Sequence, residues 1–341
     1  MPDSLEHILP QIGITTGDPA GIGPEISLRA ARESSLAGTC RLVLFGSWDI
    51  LRSRAADLGI PFNFDRFSSE ALLRGDSLPE RSVIDVPAGG VRPGMGSAAG
   101  GDAAARNVIE CTQACLRKRL DAMVTAPLNK KFFQDAGYPF PGHTEFLAHL
   151  CGVSKFAMAF LTERLRVVLA TIHIPLRQVA EHITPSLLFE KLQITVTEFS
   201  LLGLPCARVA VAGLNPHAGE SDLLGREESE RMKPAILRAR EAFPQTRIEG
   251  PLPADTLFWR ALNGEFDVVI AMYHDQGLAP IKLVGFGEAV NVTLGLPFVR
   301  ASVDHGTAFD IAGKGIARHD SMLNAIRWAL RLAKGKKQIY D

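Results

Sequence analysis

Ile12-Gly13-Ile14-Thr15-Thr16-Gly17-Asp18-Pro19-Ala20-Gly21-Ile22-Gly23-Pro24 decides the fold class. A short apolar run ends in a glycine-rich turn, and Pro24 suits the first turn of a helix. The same order recurs along the chain. Residues 41–45 (RLVLF) end at Gly46, 83–86 at Pro87, and 122–125 at Pro127. Residues 167–172 (VVLATI) end at His173, 209–212 in Gly-Leu-Asn-Pro-His, and 266–272 (FDVVIAM) in Tyr-His-Asp-Gln-Gly. Continuous apolar runs of this length predict strands buried on both faces. Helical patterns over 102–120, 187–202 and 226–243 lie between them, and 321–334 reads as an amphipathic terminal helix followed by a solvated tail. Strand–helix alternation predicts an α/β fold with mostly parallel sheet.

Composition bounds the rest. A chain of 341 residues suggests two domains or one large one. With 46% hydrophobic and 22% charged residues it can bury a sizeable core, which rules out disorder as the main state. Lys plus Arg equals Asp plus Glu at 37 each, so the chain as a whole is no polycation built to hold nucleic acid. The cysteines, Cys40, Cys111, Cys115, Cys151 and Cys206, are odd in number and contain no C-x-x-C, so plain thiols are expected. The segment MPDSLEHILPQ lacks the basic and apolar regions of a leader, and no run of 18 apolar residues exists. A reducing cytoplasm is the expected compartment. Turn-rich breaks occur at 87–101 and 137–142.

Three glycine-rich stretches differ in weight. Gly94-Met95-Gly96-Ser97-Ala98-Ala99 fits a loose G-x-G-x-x-A dinucleotide string, but it stands well away from the preceding strand and is discounted. Residues 17–23 follow a strand directly, without the Lys-Ser/Thr ending of a P-loop, and either line a cleft or form a structural turn. The third stretch is 310–315. Four histidines, His173, His217, His274 and His305, stand just beyond strands or apolar runs. Ligands of open parallel sheets bind at such ends. Imidazoles there suit zinc, cobalt or iron, or are simply hydrogen-bonded structural groups. Lys282 and Arg300 are candidates to grip a phosphate, with Asn291 as an amide donor. His143-Thr144-Glu145 reads as a helix start, with Thr144 either a cap or a phosphate ligand.

Together with these residues, the motifs Gly17-Asp18-Pro19-Ala20-Gly21-Ile22-Gly23-Pro24-Glu25, Thr125-Ala126-Pro127-Leu128-Asn129-Lys130 and Gly142-His143-Thr144-Glu145-Phe146 carry a resemblance. So do Gly213-Leu214-Asn215-Pro216-His217-Ala218-Gly219-Glu220, Pro253-Ala254-Asp255-Thr256, Tyr273-His274-Asp275-Gln276-Gly277 and Ser302-Val303-Asp304-His305-Gly306-Thr307-Ala308. The sequence resembles, nearly end to end, the 4-hydroxythreonine-4-phosphate dehydrogenase family of vitamin B6 biosynthesis. The resemblance implies a two-domain fold like that of isocitrate and isopropylmalate dehydrogenases, with an active-site cleft between the domains. The domains would be 1–130 plus 291–341 on the cofactor side, and 131–290 for metal, substrate and dimerisation.

The resemblance further implies a homodimer with shared active sites, NAD or NADP, and one divalent metal per subunit (Zn, Mg or Co). His173, His217 and His274 match the metal ligands. His143, Thr144, Lys282, Asn291 and Arg300 match the substrate positions. Asp310 and Gly313 lie in a stretch like the cofactor-side loop of those dehydrogenases, and Lys130 and Asp255 are acid–base candidates by weaker analogy, or only orient substrate. The implied reaction oxidises the C3 hydroxyl of 4-phosphooxy-L-threonine and then loses carbon dioxide to give 3-amino-2-oxopropyl phosphate. Two departures bear on substrate choice. Ser221-Asp222 stands where many members carry a glycine pair, and Pro141 where many have Thr. The family also holds paralogues acting on phosphorylated aldonates, and relatives acting on aromatic cis-diols.

Overall fold

In the computed structural model, which describes residues 9–340, every apolar run read above forms a strand. The segment read as lacking a leader lies largely outside the described residues. In chain order the strands are β1 (Gln11–Thr15), β2 (Arg41–Gly46), β3 (Asp65–Phe67), β4 (Arg81–Asp85), β5 (Ala122–Thr125), β6 (Ala157–Leu161), β7 (Arg166–Leu169), β8 (Arg208–Ala212), β9 (Arg247–Leu252), β10 (Val268–Ala271), β11 (Val290–Leu294) and β12 (Val299–Ser302).

The chain divides into two compact units. One runs to Gly152 and resumes over Pro297–Lys334; the other is Val153–Leu296 with the residues from Gly335 onward. In the first unit the strand order is β3-β4-β2-β1-β5-β12, with every pair parallel. The last strand comes from the far end of the sequence and lies beside β5, pairing Arg300 with Met123 and Ser302 with Thr125. Ile12, Ile14, Leu44, Phe45 and Met123 are fully buried, as expected of a sheet covered on both faces. Helix Ala98–Leu116 covers it with a face that includes Ala104, Val108, Cys111 and Cys115, at the three- and four-residue spacing of one helical stripe.

In the second unit the order is β11-β6-β7-β10-β8-β9. The β11–β6 and β6–β7 pairs are antiparallel, the rest parallel, so "mostly parallel" holds with one antiparallel flank. Phe160, Val167, Val269, Leu257, Leu278 and Ile281 form its core with neighbouring side chains.

The unit boundaries differ from 130/131 and 290/291 for a local reason. Helices Lys130–Asp135 and His143–Leu150 pack on Ala98–Leu116, which keeps them with the first unit. Strand β11 pairs with β6, which keeps it with the second. The break at 137–142 only joins two short helices. The terminal helix runs over Asp320–Tyr340, longer than the 321–334 read from its pattern. The five cysteines are free thiols, three of them buried. Among the described residues no helix is long and apolar enough to cross a membrane.

Candidate active site

Parallel pairing of β7, β10 and β8 brings their carboxyl ends side by side. His173 follows β7, His274 follows β10, and His217 follows β8. The ends are tied by hydrogen bonds. The Thr171 amide and hydroxyl donate to the Met272 carbonyl at 3.2 and 2.6 Å. Gln276 accepts from the Met272 amide at 2.6 Å and donates to the Gly213 carbonyl at 2.7 Å. The rings of His173 and His274 come within 5.9 Å, centroid to centroid, and line one cavity of about 300 Å³ with Ile172, Leu176, Tyr273 and Asp275. Asp275 Oδ1 lies 2.7 Å from His274 Nδ1, which engages that nitrogen and leaves Nε2 as the candidate ligand atom. This pair has the donor chemistry of a borderline divalent cation.

His217 does not join them in the same way. Among the described residues no group of three or more His, Cys, Asp or Glu is gathered as a metal site. The backbone that carries His217 is unusual. His217, Ala218, Gly219, Glu220, Ser221 and Asp222 all have positive φ, between 43° and 84°. An L side chain is strained in this region, and only glycine enters it without penalty. Glu228, buried, holds the lead-in to this run. It accepts from the Leu214 and Asn215 amides at 2.8 and 2.7 Å and from the Asn215 side chain at 3.0 Å. Ser221 and Asp222, the departures noted in the sequence, both lie in the run. Ser221→Gly is expected to stabilise the protein by about 0.5–1 kcal/mol, relief of left-handed strain offset by glycine's greater chain entropy. Thermal denaturation reads it as a raised Tm; a lowered Tm would mean that the serine carries a contact worth more than the strain.

The other candidates of the second unit are distributed around these ends. Lys282 is half-buried in helix His274–Gly285, two turns beyond His274. Asn291 lies on β11 opposite Phe160, and its Oδ1 is buried without a hydrogen-bond partner. Asp255 is exposed in the first turn of helix Ala254–Leu262, where Oδ1 accepts from the Thr256 amide at 2.9 Å.

The first unit holds a second group. Arg300 is buried in β12 and donates to Thr125 Oγ1, on β5, at 2.7 Å. Burial brings its guanidinium down to about 10, against the pull of Glu145, so it stays charged at neutral pH. His143 opens helix His143–Leu150. Burial holds its imidazole well below the usual histidine range, and the charges of Arg300 and Lys130 push the same way. The ring is therefore neutral at physiological pH. Lys130 is exposed at the start of helix Lys130–Asp135. Thr144 is buried but is no cap: Gly142 occupies the N-cap position, with no side-chain hydrogen bond there. Thr125 was not singled out from sequence; the signal was available, since it opens the Thr-Ala-Pro-Leu-Asn-Lys motif directly after a strand. Gln276 was overlooked within the Tyr-His-Asp-Gln-Gly motif for the same reason.

Further from Arg300, residues 17–25, 92–97 and 307–315 meet. The Gly94 amide donates to the Ala20 carbonyl at 2.8 Å and the Ile22 amide to Thr307 at 2.9 Å. Ser97 caps helix Ala98–Leu116, so the discounted glycine string is a helix entry rather than a nucleotide turn. Pro24 lies in the first turn of helix Gly23–Ala30, as expected. Glu25 is fully buried, and burial raises its carboxyl against the pull of Arg54 and Arg29. Arg29 donates to the Gly315 carbonyl at 2.8 Å. Gly313, with φ of 78°, faces Pro93 and Arg54, while Asp310 and His305 are exposed.

Comparison with known proteins places this geometry in context. Residues 38–329 match the family model described as pyridoxal phosphate biosynthetic protein PdxA. A 4-hydroxythreonine-4-phosphate dehydrogenase of Cupriavidus pinatubonensis is 44% identical, over 98% of this chain and 96% of that protein. A D-threonate 4-phosphate dehydrogenase of Cupriavidus necator is 42% identical, over 96% of this chain and 99% of that one. Among solved structures, the 4-hydroxythreonine-4-phosphate dehydrogenase of Klebsiella pneumoniae superposes with a TM-score of 0.86 at 40% identity, covering 95% of this chain and 99% of that one.

Proposed function

The chain belongs to the PdxA family and is a dehydrogenase of that type, and from this we propose that it oxidises the C3 hydroxyl of 4-phosphooxy-L-threonine with NAD or NADP. Decarboxylation of the resulting β-keto acid then gives 3-amino-2-oxopropyl phosphate, a precursor in pyridoxal 5'-phosphate biosynthesis. The observation that carries the phosphorylated substrate is Arg300: a buried, charged guanidinium is the group a phosphate dianion compensates. In this reading neutral His143, Thr144, Lys282 and Asn291 supply further hydrogen bonds or charge to the substrate. Asp310 and Gly313 belong to the cofactor side, where the bound nicotinamide accepts hydride.

His173, His217 and His274 would hold a divalent cation, Zn, Mg or Co, which when bound stabilises negative charge on the substrate oxygen. The protein's own residues do the remaining work. Asp275 fixes the His274 ring. Lys130 Nζ and the second oxygen of Asp255 are the proton-transfer atoms of this proposal, and the alternative is that both only orient substrate.

D-threonate 4-phosphate is a second reading, favoured by the Cupriavidus necator relative at nearly equal identity. The experiment is a panel of phosphooxythreonine, threonate and erythronate 4-phosphates and an aromatic cis-diol, each with both cofactors and added metal. Turnover of only the unphosphorylated diol would overturn the proposal.

We further propose a homodimer with shared sites. The second unit leaves Leu223, Leu283 and Phe286 more than 80% exposed, an apolar display that suits a protein partner. Sedimentation should give about twice 36.9 kDa. Mixing His173→Ala chains with His217→Ala or His274→Ala chains should regain activity for pairs whose ligands come from different subunits. A fully active monomer would end this reading.

A further inference from the structure

We propose that Gln276 and Glu228 form a two-sided clamp that positions the His217 turn relative to the His274 turn. The inference rests on the reading of these histidines as metal ligands. One carboxamide spans two strand ends: Gln276 Oε1 takes the Met272 amide, just before His274, and Nε2 reaches the Gly213 carbonyl, four residues before His217. That bridge needs an acceptor and a donor on one side chain, which only an amide of this length supplies. On the other side, Glu228 holds the Leu214 and Asn215 amides from below. Both attachments act on the same three residues, Gly213–Asn215, and the left-handed run begins at His217, after Pro216.

Strained backbone persists only where its surroundings over-determine it. Five of the six residues in the run are not glycine. The run does not set its own geometry by residue choice, so its lead-in must be fixed from outside. Gln276 and Glu228 fix its backbone, while Glu227 accepts from the Asn215 side chain at 2.8 Å and the Gly213 amide donates to the Leu252 carbonyl at 2.7 Å. Thr171 completes the series by tying the His173 end to the Met272 carbonyl. The clamp therefore links the placement of the His217 and His274 turns to hydrogen bonds made by side chains other than the three histidines. Gln276 and Glu228 are positioning residues.

The test uses the full chain, stripped by chelator and titrated with Zn²⁺ by calorimetry. Amide hydrogen exchange over residues 213–222 and Tm are measured alongside. Gln276→Leu removes both hydrogen bonds; Gln276→Glu keeps the acceptor for Met272 and loses the donor to Gly213. Each should weaken zinc binding by about 10–100-fold, the usual effect of losing a group that orients a ligand. Exchange over 213–222 should quicken while Tm stays close to that of the parent. Glu228→Ala should behave likewise, and Glu228→Gln, which keeps an acceptor oxygen for the two amides, should recover most of the affinity. His217→Ala tests the underlying reading separately. If His217→Ala weakens zinc binding while both Gln276 variants match the parent in affinity and exchange, the clamp is overturned and the metal reading stands. If His217→Ala binds zinc like the parent, the metal reading falls, and parent-like exchange in Gln276→Leu then removes the clamp too. A lowered Tm with unchanged zinc affinity would make Gln276 merely structural and overturn the proposal.

Discussion

Arg300→Ala is expected to lower kcat/KM for a phosphorylated substrate by roughly 30-fold to several thousand-fold, the equivalent of about 2–5 kcal/mol for loss of a charged partner in a desolvated site. Arg300 is 2% exposed, so folding has already removed its side chain from water. Thr125 satisfies part of it, and a neutral His143 adds no competing charge. A phosphate dianion regains there, as charge-assisted hydrogen bonds, what it loses in hydration. With zero net charge on the chain, long-range attraction does not replace that contact. The dephosphorylated analogue should bind poorly to the parent and lose little more in the variant. Parent and variant, each assayed with both substrates, decide the matter. An equal penalty for the two substrates would make Arg300 a structural residue of β12.

Gly17→Ala is expected to destabilise the protein by about 2–5 kcal/mol, combining a left-handed backbone cost of about 1–2 with overpacking of about 1–3. Gly17 has φ of 69°, and a Cβ there would lie 2.2 Å from the Pro127 carbonyl oxygen. The obstacle is backbone, so no rotamer change relieves it. The same carbonyl accepts the Asp18 amide at 3.0 Å, which joins the turn after β1 to the turn after β5. The variant's Tm should fall by roughly 4–20 °C for a domain of this size. A variant melting within a degree or two of the parent would show that the two turns separate freely.

Much of this was legible because it is local. The runs ending at Gly17, Pro127, His173 and His274 announce their strands through composition, and the turn residues announce where each stops. Residues 157–161 (AMAFL) went unread as a strand because a short run between polar stretches carries no period of its own. Its antiparallel pairing with β11 depends on residues more than a hundred positions away. Arg300 was read as a basic residue following a strand; it lies within one, paired with Met123 of β5, and is buried there. The compact units divide elsewhere than 130/131 and 290/291 for the same reason, since helices 130–135 and 143–150 are assigned by what they touch. The positive-φ run at 217–222 has one glycine, so its sequence gives no sign of left-handed backbone. The metal candidates were visible as strand-end histidines, whereas the closeness of His173 and His274 is a tertiary fact.

The position of β12 has a consequence for synthesis on the ribosome. Strands β1 to β5 are complete by Thr125, but the neighbour that covers β5 is Val299–Ser302. Roughly 170 residues must be translated between them, which at about 5–20 residues per second leaves the edge of β5 uncovered for roughly 10–35 s. That edge is Ala122-Met123-Val124-Thr125, apolar and without a charge or proline to blunt it. Nascent chains are therefore exposed to mispairing over this interval, and a chaperone that covers apolar strand edges during synthesis should raise soluble yield more than changes to the mature surface do.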